Sequence, residues 1–321
     1  MNACSSITIL NIRIFAFLAT VLAASAQPYG YVSNEMGNNI SVINRATNTV
    51  SATIFLSGCG LSGLAITPDG SNLYVAEQNK SSVAVISTAS NSVIATVAVG
   101  SSPVQIAISP DGSTAYVANQ LSNNVSVIST SSHTVIATIP VGTKPVGIAF
   151  TLDGSRVLVS NLSSANISVI STSSKSVTAT WPTGAGPIGM AMSPNGASAY
   201  VANQYVNTVS VHNLSDGSIS STVTGFSAPN SVAFLPNGSQ FYVSNGNSLS
   251  VAVVSTSSGQ IVAKVPTGML PTSVAVSSDG SMAYVTNGYG YSLSEINTSN
   301  YTVKMTLAKV GIYPFSVVLY H

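Results

Sequence analysis

Charge is scarce in this chain of 321 residues. Lys and Arg together number 9, Asp and Glu 8, and charged residues make up 5% of the sequence. A net charge of +1 offers no basic stripe for tracking phosphates, which argues against nucleic acid as a partner. The same composition argues against disorder, since 45% of the residues are hydrophobic and disordered chains combine low hydrophobicity with high net charge. Cysteine is nearly absent. Cys4 lies in a stretch that reads as a removable leader, so Cys59 stands alone in the mature chain and no internal disulfide can form. Cys59 is either a free thiol or a small residue standing where the next repeat has Ser101. The three histidines, His133, His212 and His321, fall at unrelated places in the repeat pattern, which gives no basis for a shared metal site or a Ser-His-Asp arrangement. G-x-S-x-G, P-loop and C-x-x-C motifs are missing, and no window sustains a helical period. The sequence therefore calls for no cofactor, no metal and no catalytic residue.

Residues 1–26 read as an export signal: Arg13 is the sole charge, residues 14–24 form an apolar run, and Ala24-Ser25-Ala26 supplies a small-residue cleavage site before Gln27. That run is too short to span a bilayer, and no later stretch is a transmembrane candidate. The expectation is a secreted, periplasmic or cell-surface protein whose single mature domain covers 27–321.

What the chain has in abundance is repetition. Ser109-Pro110-Asp111-Gly112-Ser113-Thr114-Ala115-Tyr116-Val117-Ala118-Asn119 returns in close versions along the whole length. Its Tyr-Val-x-Asn part falls at Tyr31, Tyr74, Tyr116, Leu158, Tyr200, Tyr242 and Tyr284, a first step of 43 residues and then steps of 42. Within one repeat, punctuation marks four strands, taken here as 104–109, 114–118, 125–129 and 135–141. Pro110-Asp111-Gly112 is a tight turn, because Asp bonds its own backbone and Gly accepts a positive φ. Four-stranded units at this period are propeller blades. The fold class is all-β: a seven-bladed propeller of four-stranded antiparallel blades. The mature chain opens at Tyr31 with a second strand, and residues 314–320 match the first strand that is missing there, so the C-terminal strand closes the ring and hides two sheet edges. The recurring Ala65, Ala107, Ala149, Ala191, Ala233 and Ala275 are expected to let the innermost strands converge.

Alternate loops of such a blade fall on opposite faces. One face collects the near-uniform turns at Asp69, Asp111, Asp153 and Asp279, with Asn195 and Asn237 in two blades, and turn chemistry explains each acid. The other face varies between blades, which is where a binding site is expected. It gathers Glu35, Met36, Cys59, Glu77, Lys80, Gln120, Lys144, Gln204, Tyr205, Met269, Leu270, Tyr289, Tyr291 and Tyr313. Glu77 replaces the Asn that most repeats place after Tyr-Val-x; it is either a solvated loop charge or a ligand group. Tyr289 and Tyr291, on a Gly-rich loop, suit sugar or peptide stacking as well as plain loop packing. Glu35 and Glu77 are the acids left without a turn or strand role. The candidate ligand-binding residues are Glu35, Glu77, Lys144, Tyr205, Tyr289, Tyr291 and Tyr313.

Tyr-Val-Ala-Asn at 116–119 and 200–203, Tyr-Val-Ser-Asn at 31–34 and 242–245, and Tyr-Val-Thr-Asn at 284–287 resemble the YVTN-type β-propeller repeat family from Tyr31 to the C-terminus. That resemblance implies a cell-surface or surface-layer protein. The same broad group includes lactonase-like propellers that hydrolyse sugar lactones, but no catalytic residue of theirs carries over to a position here. The reading is an exported, non-catalytic binding or scaffold propeller for a glycan, peptide or protein at the cell surface, its oligomeric state left open; the alternative is a lactonase-like hydrolase of a sugar lactone.

Overall fold

The computed structural model describes residues 29–57 and 60–320, so the leader reading and both readings of Cys59 lie outside the described residues. Seven four-stranded antiparallel sheets make a seven-bladed β-propeller. Blade 3 shows the plan, with strands Pro103–Ile108, Thr114–Asn119, Asn124–Ser129 and Thr134–Pro140. We call these positions a to d, from the axis outward. The other complete runs are residues 61–98 (blade 2), 145–182 (blade 4), 187–223 (blade 5), 229–266 (blade 6) and 271–308 (blade 7). Blade 1 is composite: Pro314–Leu319 is its strand a and pairs antiparallel with Tyr29–Asn34, Tyr31 opposite Val318 and Val32 opposite Val317. The two ends of the described chain thus close one sheet by hydrogen bonds, as the missing first strand required. No helix among the described residues is long and apolar enough to cross a membrane.

The apolar core is shared between blades rather than held within them. Tyr74, Val83 and Val85 of blade 2 pack with Ile106, Val117 and Ile128 of blade 3, and every neighbouring pair repeats the arrangement. Burying a side chain of this size stabilises by about 1.5–3 kcal/mol, so each blade needs its neighbours in order to fold. One interface departs from the pattern in a compensated way. Leu158 stands where the other blades have Tyr, and Trp181, in place of a smaller aliphatic such as Ile139, fills the same cluster. Trp181 stacks on His212 with ring centroids 6.3 Å apart and an interplanar angle of 13°. His212 is buried and bonds Thr183 Oγ1 at 3.1 Å and Gly217 O at 3.2 Å, and burial holds its pKa below the usual value.

Two local expectations are revised. Strand b runs through Asn119 instead of stopping at Ala118, because the Asn side chain is a clamp. Its Nδ2 donates to Asn124 Oδ1 at 2.8 Å and to Ser126 Oγ at 2.9 Å, tying strand b to strand c with no exposure to solvent. The close approach of the inner strands includes the glycines two residues before Ala149 and Ala191. A Cβ added at Gly147 would lie 1.9 Å from Ile188 O, and one at Gly189 2.3 Å from Asn230 O. Ala107 instead faces Tyr116 across the a–b ladder.

Candidate functional site

The upper end of the axis is built by one hydrogen bond repeated round the ring. The residue after the strand-b Asn (or Glu77) donates its N–H to the carbonyl of the residue that precedes a neighbouring strand a. These bonds are Glu35 to Tyr313 O (2.9 Å), Gln78 to Gly60 O (2.9 Å), Gln120 to Ser102 O (2.9 Å), Leu162 to Lys144 O (2.9 Å), Gln204 to Gly186 O (2.8 Å), Gly246 to Ala228 O (2.8 Å) and Gly288 to Leu270 O (2.8 Å). The accepting residues all hold left-handed backbone, which Gly60 and Gly186 adopt freely and which Lys144 (φ 53) and Tyr313 (φ 58) adopt at a cost. The first member of each pair therefore forms a ring whose side chains are free to differ.

Inside this ring lies a cavity of about 390 Å³. Gln78, Gln120 and Gln204 reach it from the ring, and Gln105, Asn230, Thr272, Ser231, Ser273 and Ser316 from the starts of the a strands. Val104, Val146, Ile148, Leu162, Ile188, Met190, Leu270 and Phe315 supply apolar wall, with Tyr313 at the mouth. The polar side is already ordered: Gln204 Nε2 donates to Asn230 Oδ1 at 2.7 Å, and Asn230 Nδ2 to Pro271 O at 3.1 Å. Thr272 Oγ1 donates to Pro314 O at 3.0 Å. None of the lining residues is charged. Amides that both donate and accept, set against aliphatic wall, form the usual makeup of a small-molecule site.

Of the residues singled out in the sequence, Tyr313 alone among the seven lines the cavity, while Gln120, Gln204 and Leu270 come from the wider upper-face set. Glu35 is half-buried in the ring position of the glutamines, and desolvation raises its carboxyl above the usual value. Glu77 is elsewhere and engaged: it is 2% exposed, Oε2 accepts from Ser82 Oγ at 2.7 Å, and Oε1 pairs with Lys80 at 3.2 Å. Lys80 also donates to Ser57 Oγ at 3.1 Å. Glu77 thus fills the clamp position of Asn119, in a blade that has Ala84 where blade 3 has Ser126. Lys144 is exposed on its link, its N–H held by Asn123 Oδ1 at 2.9 Å. Tyr205 is exposed and lies over Gly186, where a Cβ would come 2.6 Å from its ring. Tyr289 meets Tyr313 edge-on at 5.2 Å, whereas Tyr291 stands exposed on left-handed backbone.

Gln78, Gln105, Asn230 and Thr272 were not singled out in the sequence. Aligning the repeats on Asn119 and on Pro103 would have exposed them, because the columns just after these two residues are the ones that vary. The opposite, lower face has its own hollow of about 360 Å³ near Asp111, Asp153 and Lys175, but its carboxylates are taken up by their own turns. Asp111 Oδ1 accepts from Ser109 Oγ (2.6 Å), Ser113 N (3.0 Å) and Ser113 Oγ (2.9 Å). Asp153 is lowered to about 2, chiefly by the Thr151 hydroxyl. Among the described residues no three His, Cys, Asp or Glu come together to hold a metal.

Comparison with known proteins agrees with this architecture. The family model described as "Lactonase, 7-bladed beta-propeller" matches residues 20–135. A search of curated proteins finds no sequence match. Among solved structures, Kuenenia stuttgartiensis hydrazine synthase superposes with a TM-score of 0.77 at 22% identity, over 84% of this chain and 92% of that one. A functionally unknown protein from Desulfotomaculum acetoxidans gives 0.81 at 21% identity, over 91% and 99%. A candidate 6-phosphogluconolactonase from Bacteroides fragilis gives 0.78 at 16% identity, over 93% and 99%. Likeness at these identities concerns the fold: the chain is a seven-bladed β-propeller, with a stretch similar to the lactonase propeller family within it.

Proposed function

We propose that this is an exported, non-catalytic binding propeller that holds a glycan or peptide of the cell surface in the cavity at the upper end of its axis. The observation that carries the reading is the lining itself: four glutamines, an asparagine and four hydroxyl-bearing Ser or Thr residues beside aliphatic wall, without an acid, base or cation among them. Amides and hydroxyls match sugar hydroxyls and peptide groups, while Val104, Val146 and Ile188 match the apolar faces of such ligands. General acid–base chemistry needs a titratable group within hydrogen-bond reach of the reacting atom, and the lining supplies only the weakly acidic Tyr313, which burial pushes further up. A phosphorylated lactone would find no Lys or Arg in the lining to meet its charge.

The second reading, hydrolysis of an uncharged sugar lactone, is favoured by the family match over residues 20–135 and by Glu35, a half-buried carboxyl of the upper ring that desolvation raises above its usual value. One experiment separates the two. The purified protein is titrated by calorimetry with neutral oligosaccharides and short peptides, and in parallel assayed on sugar lactones by proton release. Saturable binding that weakens about tenfold in Gln204→Ala, the loss of one or two hydrogen bonds, with lactone turnover equal to buffer, supports binding. Turnover that disappears in Glu35→Gln replaces it with hydrolysis.

A further inference from the structure

The upper ring has one carboxylate. Where the other blades place Gln, Leu or Gly, blade 1 places Glu35, held by the same N–H bond to a link carbonyl that positions the glutamines, here Tyr313 O at 2.9 Å. Tyr313 both accepts that bond and lines the cavity with its ring, and Tyr289, 54% exposed, stands edge-on to it at 5.2 Å. Burial first, and then the charges of Glu35 and Tyr289, push the Tyr313 hydroxyl pKa upward. The two ion pairs among the described residues join Lys80 to Glu77 and Lys304 to Glu295, and neither involves Glu35. A carboxylate drawn half out of water without a counter-ion is unfavourable until a cation arrives, and tyrosine faces beside it add attraction for an organic cation.

We infer that the corner formed by Glu35, Tyr313 and Tyr289 recognises an ammonium group on the ligand that the cavity holds. The inference rests on the binding reading above and extends it to a ligand class: amine-bearing saccharides or peptides with a free N-terminus, whose shared chemistry is a primary ammonium beside hydroxyl or amide groups. The ammonium donates to the Glu35 carboxylate and lies against the tyrosine rings, while the remainder of the ligand meets Gln204, Asn230 and Thr272.

The test uses matched pairs in which the amine is free or acetylated: a glucosamine trimer against the N-acetylglucosamine trimer, and tetra-alanine against N-acetyl-tetra-alanine, each titrated into the full purified protein. The expected result is binding at least tenfold tighter for the free amine in one of the two series, which also tells the saccharide source from the peptide source. Glu35→Gln, which keeps size and shape, should remove that preference, and Tyr289→Leu should reduce it. Equal binding of amine and acetylated forms, weakened in both by Gln204→Ala, overturns this inference and leaves the binding reading standing. A preference that survives in Glu35→Gln also overturns it. Absence of binding in all four titrations sinks both readings.

Discussion

The two faces of this propeller are built from the same repeats and obey different rules. On the lower face, four of the a–b turns repeat one network. Ser109 and Ser113 bond Asp111, and Thr130 Oγ1 donates to Gly112 O at 2.6 Å. The Thr67–Asp69–Ser71, Thr151–Asp153–Ser155 and Ser277–Asp279–Ser281 turns do the same, each with a Thr closing onto the turn glycine. On the upper face, the ring position reads Glu35, Gln78, Gln120, Leu162, Gln204, Gly246 and Gly288. The lower residues satisfy a local demand that these turns share, namely turn geometry. The upper residues keep only their backbone bond in common, and four of them, Gln78, Gln120, Leu162 and Gln204, line the cavity. Uniform turns are what a scaffold needs, and the variation on the upper face is what the proposed binding role draws on.

Acid should strike the lower face hardest, because it acts on four blades together. Asp153 and Asp279 are lowered from 3.8 to about 2, first by hydroxyl hydrogen bonds from Thr151 and Ser277, and Asp69 and Asp111 are lowered for the same reason. The unfolded chain therefore takes up protons first. This stabilisation is complete above 3.8 and is lost as pH falls toward about 2. Melting curves at stepped pH should show the decline in that window, and replacing all four Asp by Asn, the residue already present at Asn195 and Asn237, should flatten it. A slope that persists in the fourfold variant would remove these turns as its cause.

Next in size is the clamp. Asn119→Ala removes two buried hydrogen bonds and strands Asn124 and Ser126, for a loss of about 2–3 kcal/mol in denaturant titration. Glu77→Gln tests whether the blade 2 carboxylate belongs to this structural set. It should lower stability by about 1 kcal/mol, through loss of the Lys80 pair, and leave ligand affinity alone; a selective loss of affinity would move Glu77 into the site. Asp111→Ala should cost about 1 kcal/mol, again with ligand affinity unaltered. The smallest effect on stability belongs to the upper face: Gln204→Ala should stay within about 0.5 kcal/mol of the parent in denaturant titration while showing the affinity loss described above. If Asp111→Ala weakened binding, or Gln204→Ala unfolded the protein, the division between the faces would fail.

The blade plan was legible because it is local and periodic. Pro110-Asp111-Gly112 announces its turn from within itself, and Tyr116 repeats at a constant step. The site was legible only in part. Its face could be assigned from loop alternation, yet Glu77 reads in the sequence as a solvated loop charge or a ligand group, and the structure sets it against Ser82 and Lys80. Tyr205, a binding candidate, and Tyr291, a candidate for stacking, are exposed outside the cavity wall, whereas Gln105, Asn230 and Thr272 carry no signal within a single repeat that sets them apart from ordinary strand residues.

From the sequence alone follow the number of blades, the order of strands, the turn role of the acids and the closure of blade 1 by residues 314–320. Each of these depends on neighbours along the chain or on matching one repeat to another. The tertiary structure decided the rest. It brought the inner strands close together at Gly147 and Gly189, made Trp181 the filler opposite Leu158, and turned the strand-b asparagines into buried clamps. It also assembled an uncharged cavity from residues of all seven blades. The physical reason is that cavity walls and blade interfaces are contacts between repeats. A side chain in one blade meets its partner about one blade further on, as Asn230 meets Pro271 O, and only closure of the ring brings the seven contributions to one axis.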